Sequence, residues 1–279
     1  MTITTRDQLI DAMANNSSRV IIDKASISNA VAGAFQSLFR ATGQPGQGAI
    51  PTTAATCDNT LLGAIQFTQQ TAPATSYLGI LEGLCSNTTT TLEIHDRLMH
   101  MGGLVGNVTT SQTVNLDLDA NLASDNLSSR KGDSNFSDVQ WWMEWYTDTG
   151  ATASNATVNV TYNDGTSGDL TVQAVGGTIR ASRMFPLNTL IPAAAAGKYI
   201  RDINTVTLSA STGTAGNFGF TVTRYRAAIF QPIANARFTA DWAGLGLPEI
   251  PNESCLFPIQ VAGTTTTGTV RATGKIIHG

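Results

Sequence analysis

The residues in this sequence that come nearest to a catalytic or metal-binding group lie in the segment 93–100. Glu93, His95, Asp96 and His100 supply two carboxylates and two imidazoles, the side chains that hold zinc or transfer protons. On a strand, neighbouring side chains point to opposite faces, so His95 points away from both Asp96 and His100. This spacing argues against a shared site, and we expect instead that Glu93 lies beside Arg97.

The rest of the sequence contains no recognisable catalytic motif. It has no G-x-S-x-G elbow, phosphate-binding loop, H-E-x-x-H motif or dinucleotide fingerprint. The glycine-rich stretches at 43–48 and 244–246 lack the strand–loop–helix setting that phosphate binding requires. We therefore expect a non-enzymatic protein with no catalytic residues, no metal ligands and no cofactor.

A strand from Val139 to Tyr146 is expected to carry much of the packing, because it holds three of the four tryptophans. Trp141 and Trp145 share one face of this strand, which we expect in a core. Trp142 and Tyr146 share the other face, which we expect beneath a loop, an arm or a neighbouring subunit. Both faces carry aromatic side chains, whereas a strand with one face in water would show a cleaner alternation with polar residues.

The composition is unusually poor in charge. Charged residues make up 13% of the chain, against about 25% in an ordinary soluble domain. Thr, Ser, Asn, Gln and Gly replace them, and these residues favour strands and turns. The net charge is −4, which argues against direct nucleic-acid binding, since phosphate recognition needs a clustered basic surface.

The cysteines and the N-terminus indicate the compartment. Cys57, Cys85 and Cys255 show no C-x-x-C spacing, so we expect buried thiols, with a Cys57–Cys85 disulfide as the alternative. The first residues have neither a basic start nor an apolar run, and no stretch has the ~20 apolar residues of a membrane-spanning helix. We expect a chain that is made in a cytoplasm and does not enter a membrane.

The N-terminal region predicts short helices. Residues 4–14 have an apolar stripe and a cap at Thr4 or Thr5. A second helix is predicted over 26–39 from helical spacing of its apolar residues, although a strand over 34–40 competes with it. A loop over 43–51 follows, because its Gly and Pro residues continue neither element.

The middle of the chain predicts many short strands separated by turns. Asn163-Asp164-Gly165 predicts a hairpin, and a second hairpin is predicted around 212–217. The segment 121–137 is expected to be a long loop. The predicted strands cover 92–100, 114–118, 139–147, 157–162, 169–175, 178–185, 203–211 and 217–230.

The last fifty residues are rich in proline, which cannot donate a hydrogen bond within a central strand. We expect them to form an extended arm over a surface. The predicted fold is mainly β, an antiparallel β-sandwich or jelly roll with short N-terminal helices. Its predicted parts are an N-terminal helical or extended arm region (1–60), a β-sandwich core (61–231) and a proline-rich C-terminal arm (232–279).

Four segments resemble tailed-bacteriophage virion structural proteins. They are SLFRATGQPGQGAIP (37–51), TLEIHDRLMHMGGLVG (91–106), VQWWMEWYTDTGAT (139–152) and NTVTLSASTGTAGNFGFTVTRYRA (204–227). These are packing and turn motifs spread over most of the chain. The resemblance implies a structural component of the particle, without specifying head, tail or connector.

These features together predict a head decoration (cement) protein, assembled in a host cytoplasm into a virion. The expected partners are a major capsid protein or other virion proteins and further copies of the chain. The alternatives are a tail-tube or head–tail connector protein, or a carbohydrate-binding adhesin that uses the tryptophan-rich strand. The residues expected to make interactions are Trp142, Tyr146, Pro232, Trp242, Pro248, Pro251 and Pro258.

Overall fold

Strands account for most of the regular structure in the computed structural model, which describes residues 2–27, 30–87, 89–177 and 180–279. The helices are α1 (Arg6–Asn15), α2 (Leu127–Arg130) and α3 (Trp242–Leu245), with short 3-10 helices at Leu187–Leu190 and Ala193–Ala195. The strands are β1 (Ser17–Lys24), β2 (Phe35–Ser37), β3 (Gly43–Gln44), β4 (Ala55–Thr56), β5 (Ser76–Cys85), β6 (Thr90–Leu104), β7 (Gln112–Asp117), β8 (Val139–Thr147), β9 (Asn155–Tyr162), β10 (Ser167–Asp169), β11 (Gln173–Ala174), β12 (Arg183–Pro186), β13 (Ile200–Leu208), β14 (Asn217–Gln231), β15 (Phe238–Asp241), β16 (Glu249–Ile250), β17 (Leu256–Ala262) and β18 (Val270–His278). The prediction of a mainly β, antiparallel fold of the sandwich or jelly-roll type is confirmed.

The chain divides into two compact units. Unit 1 comprises residues 1–49, 58–96 and 225–279, and unit 2 comprises residues 50–57 and 97–224. Two of the four boundaries fall within β6 and β14, so each of these long strands contributes to both units. This division differs from the three consecutive parts that the sequence predicted.

Unit 1 contains a six-stranded sheet among its described residues, in the order β15-β5-β18-β1-β3, with β16 beside β5. In β1, Val20 and Ile22 are buried while Arg19, Ile21 and Asp23 are exposed, as expected for a strand with one face on a core. The core of this unit takes residues from most of its strands, including Ile65, Leu78, Leu81, Ile94, Ile229, Leu256 and Ile276.

The first predicted helix is confirmed as α1. Thr5 accepts a hydrogen bond from the Gln8 backbone, and the Gln8 side chain accepts one from the Thr5 backbone, which forms a capping box. Leu9 and Ala12 then pack against Ile277 of β18. This contact stabilises a helix too short to persist alone in water.

The second predicted helix, over 26–39, is wrong where the structure describes it. Residues 35–37 form β2, which pairs with β17, so the competing strand prediction over 34–40 is confirmed there. Gly33 has φ +74°, a conformation that ends a helix. Ser28 and Asn29 lie outside the described residues.

Unit 2 has its core between two groups of strands. One group has the order β10-β9-β13-β7, with β11 beside β9. In the other, β8 pairs with β14 and with β12. Trp141 and Trp145 are fully buried in this core, which confirms their predicted place.

The two predicted hairpins have different outcomes. Asn163-Asp164-Gly165 connects the antiparallel strands β9 and β10, with Gly165 at φ +81°, so the first prediction is confirmed. The second is wrong, because β13 pairs with β7 and β9 whereas β14 pairs with β8. Two glycines with positive φ, Gly213 and Gly216, turn the chain from one sheet to the other.

Other predictions in the middle of the chain are partly met. The predicted strand 169–175 is interrupted and leaves only short pieces, β10 and β11. The predicted strand 178–185 is observed only at its end, as β12, because residues 180–182 are not in a strand; Thr178 and Ile179 lie outside the described residues. The predicted loop 121–137 contains the single-turn helix α2.

The prediction of a C-terminal arm is wrong for β17 and β18. β18 lies between β5 and β1, and β17 lies between β2 and β6. Pro258 is tolerated in β17 because its carbonyl accepts from the Leu38 N–H at 3.1 Å. The Leu38 carbonyl, which would otherwise need the missing proline N–H, accepts from the Ala41 N–H at 3.2 Å.

Candidate functional site

The segment 93–100 does not form one site. His95 is fully buried, and its Nε2 lies 2.8 Å from the Glu93 carboxylate. Its ring packs edge-on against Tyr225 at 5.6 Å between centroids. The predicted Glu93–Arg97 neighbourhood is wrong, because Arg97 forms its ion pair with Glu144 in unit 2.

Asp96 belongs to a separate ion pair in unit 1. Its Oδ2 accepts from Arg226 Nη2 at 2.9 Å, and its Oδ1 accepts from the Cys255 N–H at 2.9 Å. Arg226 also donates to the Glu249 carbonyl at 3.2 Å. These bonds attach the C-terminal region to β6 and β14, so the cluster has a structural role.

A buried polar cluster lies in unit 2. Arg97 Nη2 donates to both Glu144 carboxylate oxygens, at 2.8 and 2.5 Å. Arg97 Nη1 lies 3.1 Å from both Thr221 Oγ1 and His100 Nδ1, and the Thr221 hydroxyl donates to Glu144 at 2.6 Å. The Tyr146 hydroxyl donates to the same carboxylate, and burial, followed by the Glu144 charge, raises the pKa of Tyr146. The positive charge of Arg97 thus balances the Glu144 carboxylate, which is also hydrogen-bonded to Thr221 and Tyr146 inside the protein.

His100 makes stability depend on pH. Burial, followed by the charge of Arg97, lowers the pKa of His100 from 6.5 to about 3. Below pH 6.5 the unfolded chain therefore takes up a proton that the folded chain refuses. The contribution of His100 to stability is complete above pH 6.5 and is lost as pH falls toward 3, by about 1.4 kcal/mol per pH unit.

We expect His100→Gln to remove this dependence, because glutamine can accept from Arg97 without titrating. Urea unfolding of both proteins between pH 4 and 8 checks it. The difference in unfolding free energy between wild type and variant should be constant above pH 7 and should change steadily below pH 6.5. Parallel profiles over the whole range would contradict the prediction.

His278 contacts two serine hydroxyls. Its Nδ1 lies 2.9 Å from Ser76 Oγ and its Nε2 lies 2.8 Å from Ser18 Oγ. Burial lowers the pKa of His278. In a nucleophilic site, the second ring nitrogen would be oriented by a third group such as a carboxylate, but a second serine takes that position here. The contacts fasten the end of β18 to β1 and β5.

Lys24 is a buried amine that was not predicted from the sequence. Its Nζ donates to the carbonyls of Ala41, Pro45 and Gly46, at 3.0, 2.6 and 3.3 Å. Burial lowers the pKa of Lys24 to about 8. With its side chain enclosed, Lys24 holds the 41–46 loop.

The remaining chemical groups do not form a metal or redox centre in the part of the chain that the structure describes. No group of three or more His, Cys, Asp or Glu side chains there could hold a metal ion. Cys57, Cys85 and Cys255 are buried thiols, as predicted, and the alternative Cys57–Cys85 disulfide is not formed. Across the described ranges, no helix combines the length and apolar character needed to cross a membrane.

The predicted interaction residues differ in accessibility. Trp142 is fully buried, and its Nε1 donates to Thr223 Oγ1 at 2.8 Å, so it has no exposed face for a sugar. Tyr146 is also buried. Pro251 and Pro258 are buried, Pro248 is half-buried, and Pro232 and Trp242 are exposed. Their role in binding a partner stays a prediction.

Four exposed large apolar side chains lie in residues 230–242, which we call the 230–242 segment. Phe230, Ile233, Phe238 and Trp242 are 53%, 66%, 37% and 43% exposed. The sequence predicts contacts at Pro232 and Trp242 but not at Phe230, Ile233 or Phe238, although all three are visible as large apolar residues in FQPIANARFTADW. Exposed apolar groups this close in sequence are typical of a protein–protein contact.

A shallow groove of about 360 Å³ lies on the outer face of the unit 1 sheet. Its floor is largely aliphatic and includes Ile21 and Leu84. Arg271 pairs with Asp23 at 3.2 Å across it. Arg237, which directly precedes β15, pairs with Glu82. The charges along this groove therefore satisfy one another, and the 230–242 segment is the stronger candidate for contact with a partner.

No protein-family model matches the chain. No curated protein matches it either. Among solved structures, a chain of infectious bursal disease virus (Gt strain) is 11% identical, with 95% of this chain and 82% of that chain covered at a TM-score of 0.20. A chain of the VP2 subviral particle of the same virus is also 11% identical, with 94% of this chain and 79% of that chain covered at a TM-score of 0.16. Similarity at these TM-scores supports no conclusion about fold or function.

Proposed function

We propose that this chain is a non-enzymatic virion structural protein that binds and stabilises a capsid lattice as a decoration protein. The observation that carries the proposal is the 230–242 segment, which holds four of the nine large apolar side chains that are exposed among the described residues. Burying such side chains against a partner is favourable. Many copies on a lattice would add avidity to each weak contact.

Three features of the chain support this role. The segments that resemble virion proteins include β8 and most of β6 and β14. The buried ion pairs Arg97–Glu144 and Arg226–Asp96 engage charges that a catalytic site would leave available to a substrate. The low charge content gives a surface suited to broad, weakly polar contacts. The buried position of Trp142 makes the adhesin alternative less favourable.

Cosedimentation with capsids that lack this chain tests the proposal. Wild-type protein should bind saturably, at a fixed number of copies per capsid, and should raise the temperature at which the capsids open. The double variant Phe230→Ser/Ile233→Ser should bind more weakly, because both side chains are exposed and can change without disturbing a core. Arg271→Ser on the outer sheet face is the matched control.

The other outcomes are distinct. Rings or tubes of purified protein seen by electron microscopy would favour a tail-tube or connector role. Specific binding on a glycan array would favour an adhesin. Absence of both capsid binding and capsid stabilisation would exclude the decoration role.

A further inference from the structure

Strand β15 leaves one backbone edge of the unit 1 sheet unpaired. It pairs with β5 through Phe238–Gly83 to Asp241–Ile80 and is the terminal strand in the sheet order. No described residue forms a ladder on its other edge. An edge of this kind presents N–H and C=O groups that another strand can pair with.

The sequence of this edge is symmetric in charge. In Arg237-Phe238-Thr239-Ala240-Asp241, a cation and a carboxylate lie at equal distances on either side of Thr239. If two copies align antiparallel about Thr239, Arg237 of each lies opposite Asp241 of the other. Opposite charges directly across a strand pair stabilise it, whereas like charges destabilise it.

We propose that two copies of this chain associate through β15, antiparallel and centred on Thr239, to form a two-fold dimer. Short charged edges normally oppose association. The β15 edge is complementary in charge to a second copy of itself in a single register. This favours pairing with another copy of the chain and disfavours shifted alignments. The inference does not depend on the proposed virion role.

The side chains needed for the contact are accessible. Arg237 is 67% exposed, and its bond to Glu82 uses only Nη2. Asp241 Oδ1 accepts from the backbone N–H groups of Ala243 and Gly244, at 3.1 and 3.0 Å. Its other oxygen, Oδ2, accepts no hydrogen bond from the described residues. It can therefore accept one from Arg237 of the second copy.

The same register would bury exposed aromatic surface. Phe238 would lie opposite Ala240 of the second copy, near the end of that copy's β15, where α3 begins with the exposed Trp242. The two-fold axis forms this contact twice, which accounts for apolar side chains on an otherwise charged edge.

A disulfide at the symmetry axis is the sharpest test. Residues directly opposite in an antiparallel pair have Cα atoms about 4.5 to 5.5 Å apart, within the range that a disulfide spans. Thr239→Cys should therefore give a covalent dimer on mild oxidation, while Thr273→Cys, on the same sheet face but on β18, should not. The native cysteines are buried, so we expect them to form few disulfides between copies.

Charge exchange tests the register. Sedimentation equilibrium should show that Arg237→Asp weakens the dimer roughly tenfold or more, because it places like charges opposite each other twice. Arg237→Lys, which keeps the positive charge and leaves the Asp241 cap of α3 intact, should retain association, and Arg271→Asp should leave it unchanged. Circular dichroism confirms that each variant is folded.

Two outcomes would overturn the inference. One is a wild-type protein that stays monomeric at high concentration while Thr239→Cys forms no disulfide. The other is a dimer that survives Arg237→Asp without cross-linking at position 239, which would place the interface elsewhere. Failure of capsid binding by a protein that still forms this dimer would count against the virion role alone.

Discussion

Glu144→Gln is expected to lower the free energy of unfolding by about 3 to 5 kcal/mol. The substitution removes the carboxylate that neutralises Arg97, and both side chains are excluded from water. The guanidinium then stays charged in a region of low dielectric, beside Thr221 and His100, after losing the charge of Glu144. Glutamine has nearly the same shape, so the loss reports the charge rather than a cavity.

Urea denaturation, followed by far-UV circular dichroism, measures this effect. Asp23→Asn is the matched control, because Asp23 forms an ion pair with Arg271 whose side chains are 53% and 65% exposed. Exposed pairs contribute about 0 to 1 kcal/mol, so the control should lose less than 1 kcal/mol. Equal losses in the two variants would show that the Arg97–Glu144 pair is not isolated from water.

This ion pair was beyond prediction from the sequence. Arg97 and Glu144 are 47 positions apart and lie on β6 and β8, so they meet only when the strand order is known. Local spacing suggested Glu93 as the neighbour of Arg97, since the two share a strand face. Glu93 instead contacts His95, which also lies on that face.

Features set by neighbouring residues were predicted well. Thr5 and Gln8 specify the start of α1 through a capping box that involves only the first turn. The Asn163-Asp164-Gly165 turn joins adjacent strands, so turn chemistry alone fixes that hairpin. The alternation of β8 likewise placed Trp141 and Trp145 correctly. In each case the deciding interaction lies within a few residues.

The C-terminal region shows where such local reasoning fails. Proline disfavours a central strand, yet Pro258 occupies one because the Leu38 carbonyl finds its donor in Ala41. Neither residue is near position 258 in the sequence. The candidate contact surface was found only in part for a similar reason. Trp242 was visible as an unusual residue, but the edge position of β15 depends on the order of strands in the sheet.

Trp141→Ala is expected to cost about 3 to 5 kcal/mol of unfolding free energy. Trp141 is fully buried in the unit 2 core, and its Nε1 donates to the Ile200 carbonyl at 2.8 Å. Alanine would leave a cavity the size of an indole and a carbonyl without its donor. Because Ile200 lies on β13, the indole also ties β8 to the other group of strands.

Trp242→Ala is the control for the same residue type at an exposed position, where the loss should stay below about 1 kcal/mol. Both variants should be unfolded in urea at a concentration low enough to keep the chain monomeric, so that association does not contribute. Trp141→Phe should fall between them, since it restores part of the volume but not the hydrogen bond. A loss in Trp141→Ala no larger than that in Trp242→Ala would mean that β8 does not pack against β13 through this indole, and the sandwich arrangement of unit 2 would then be wrong.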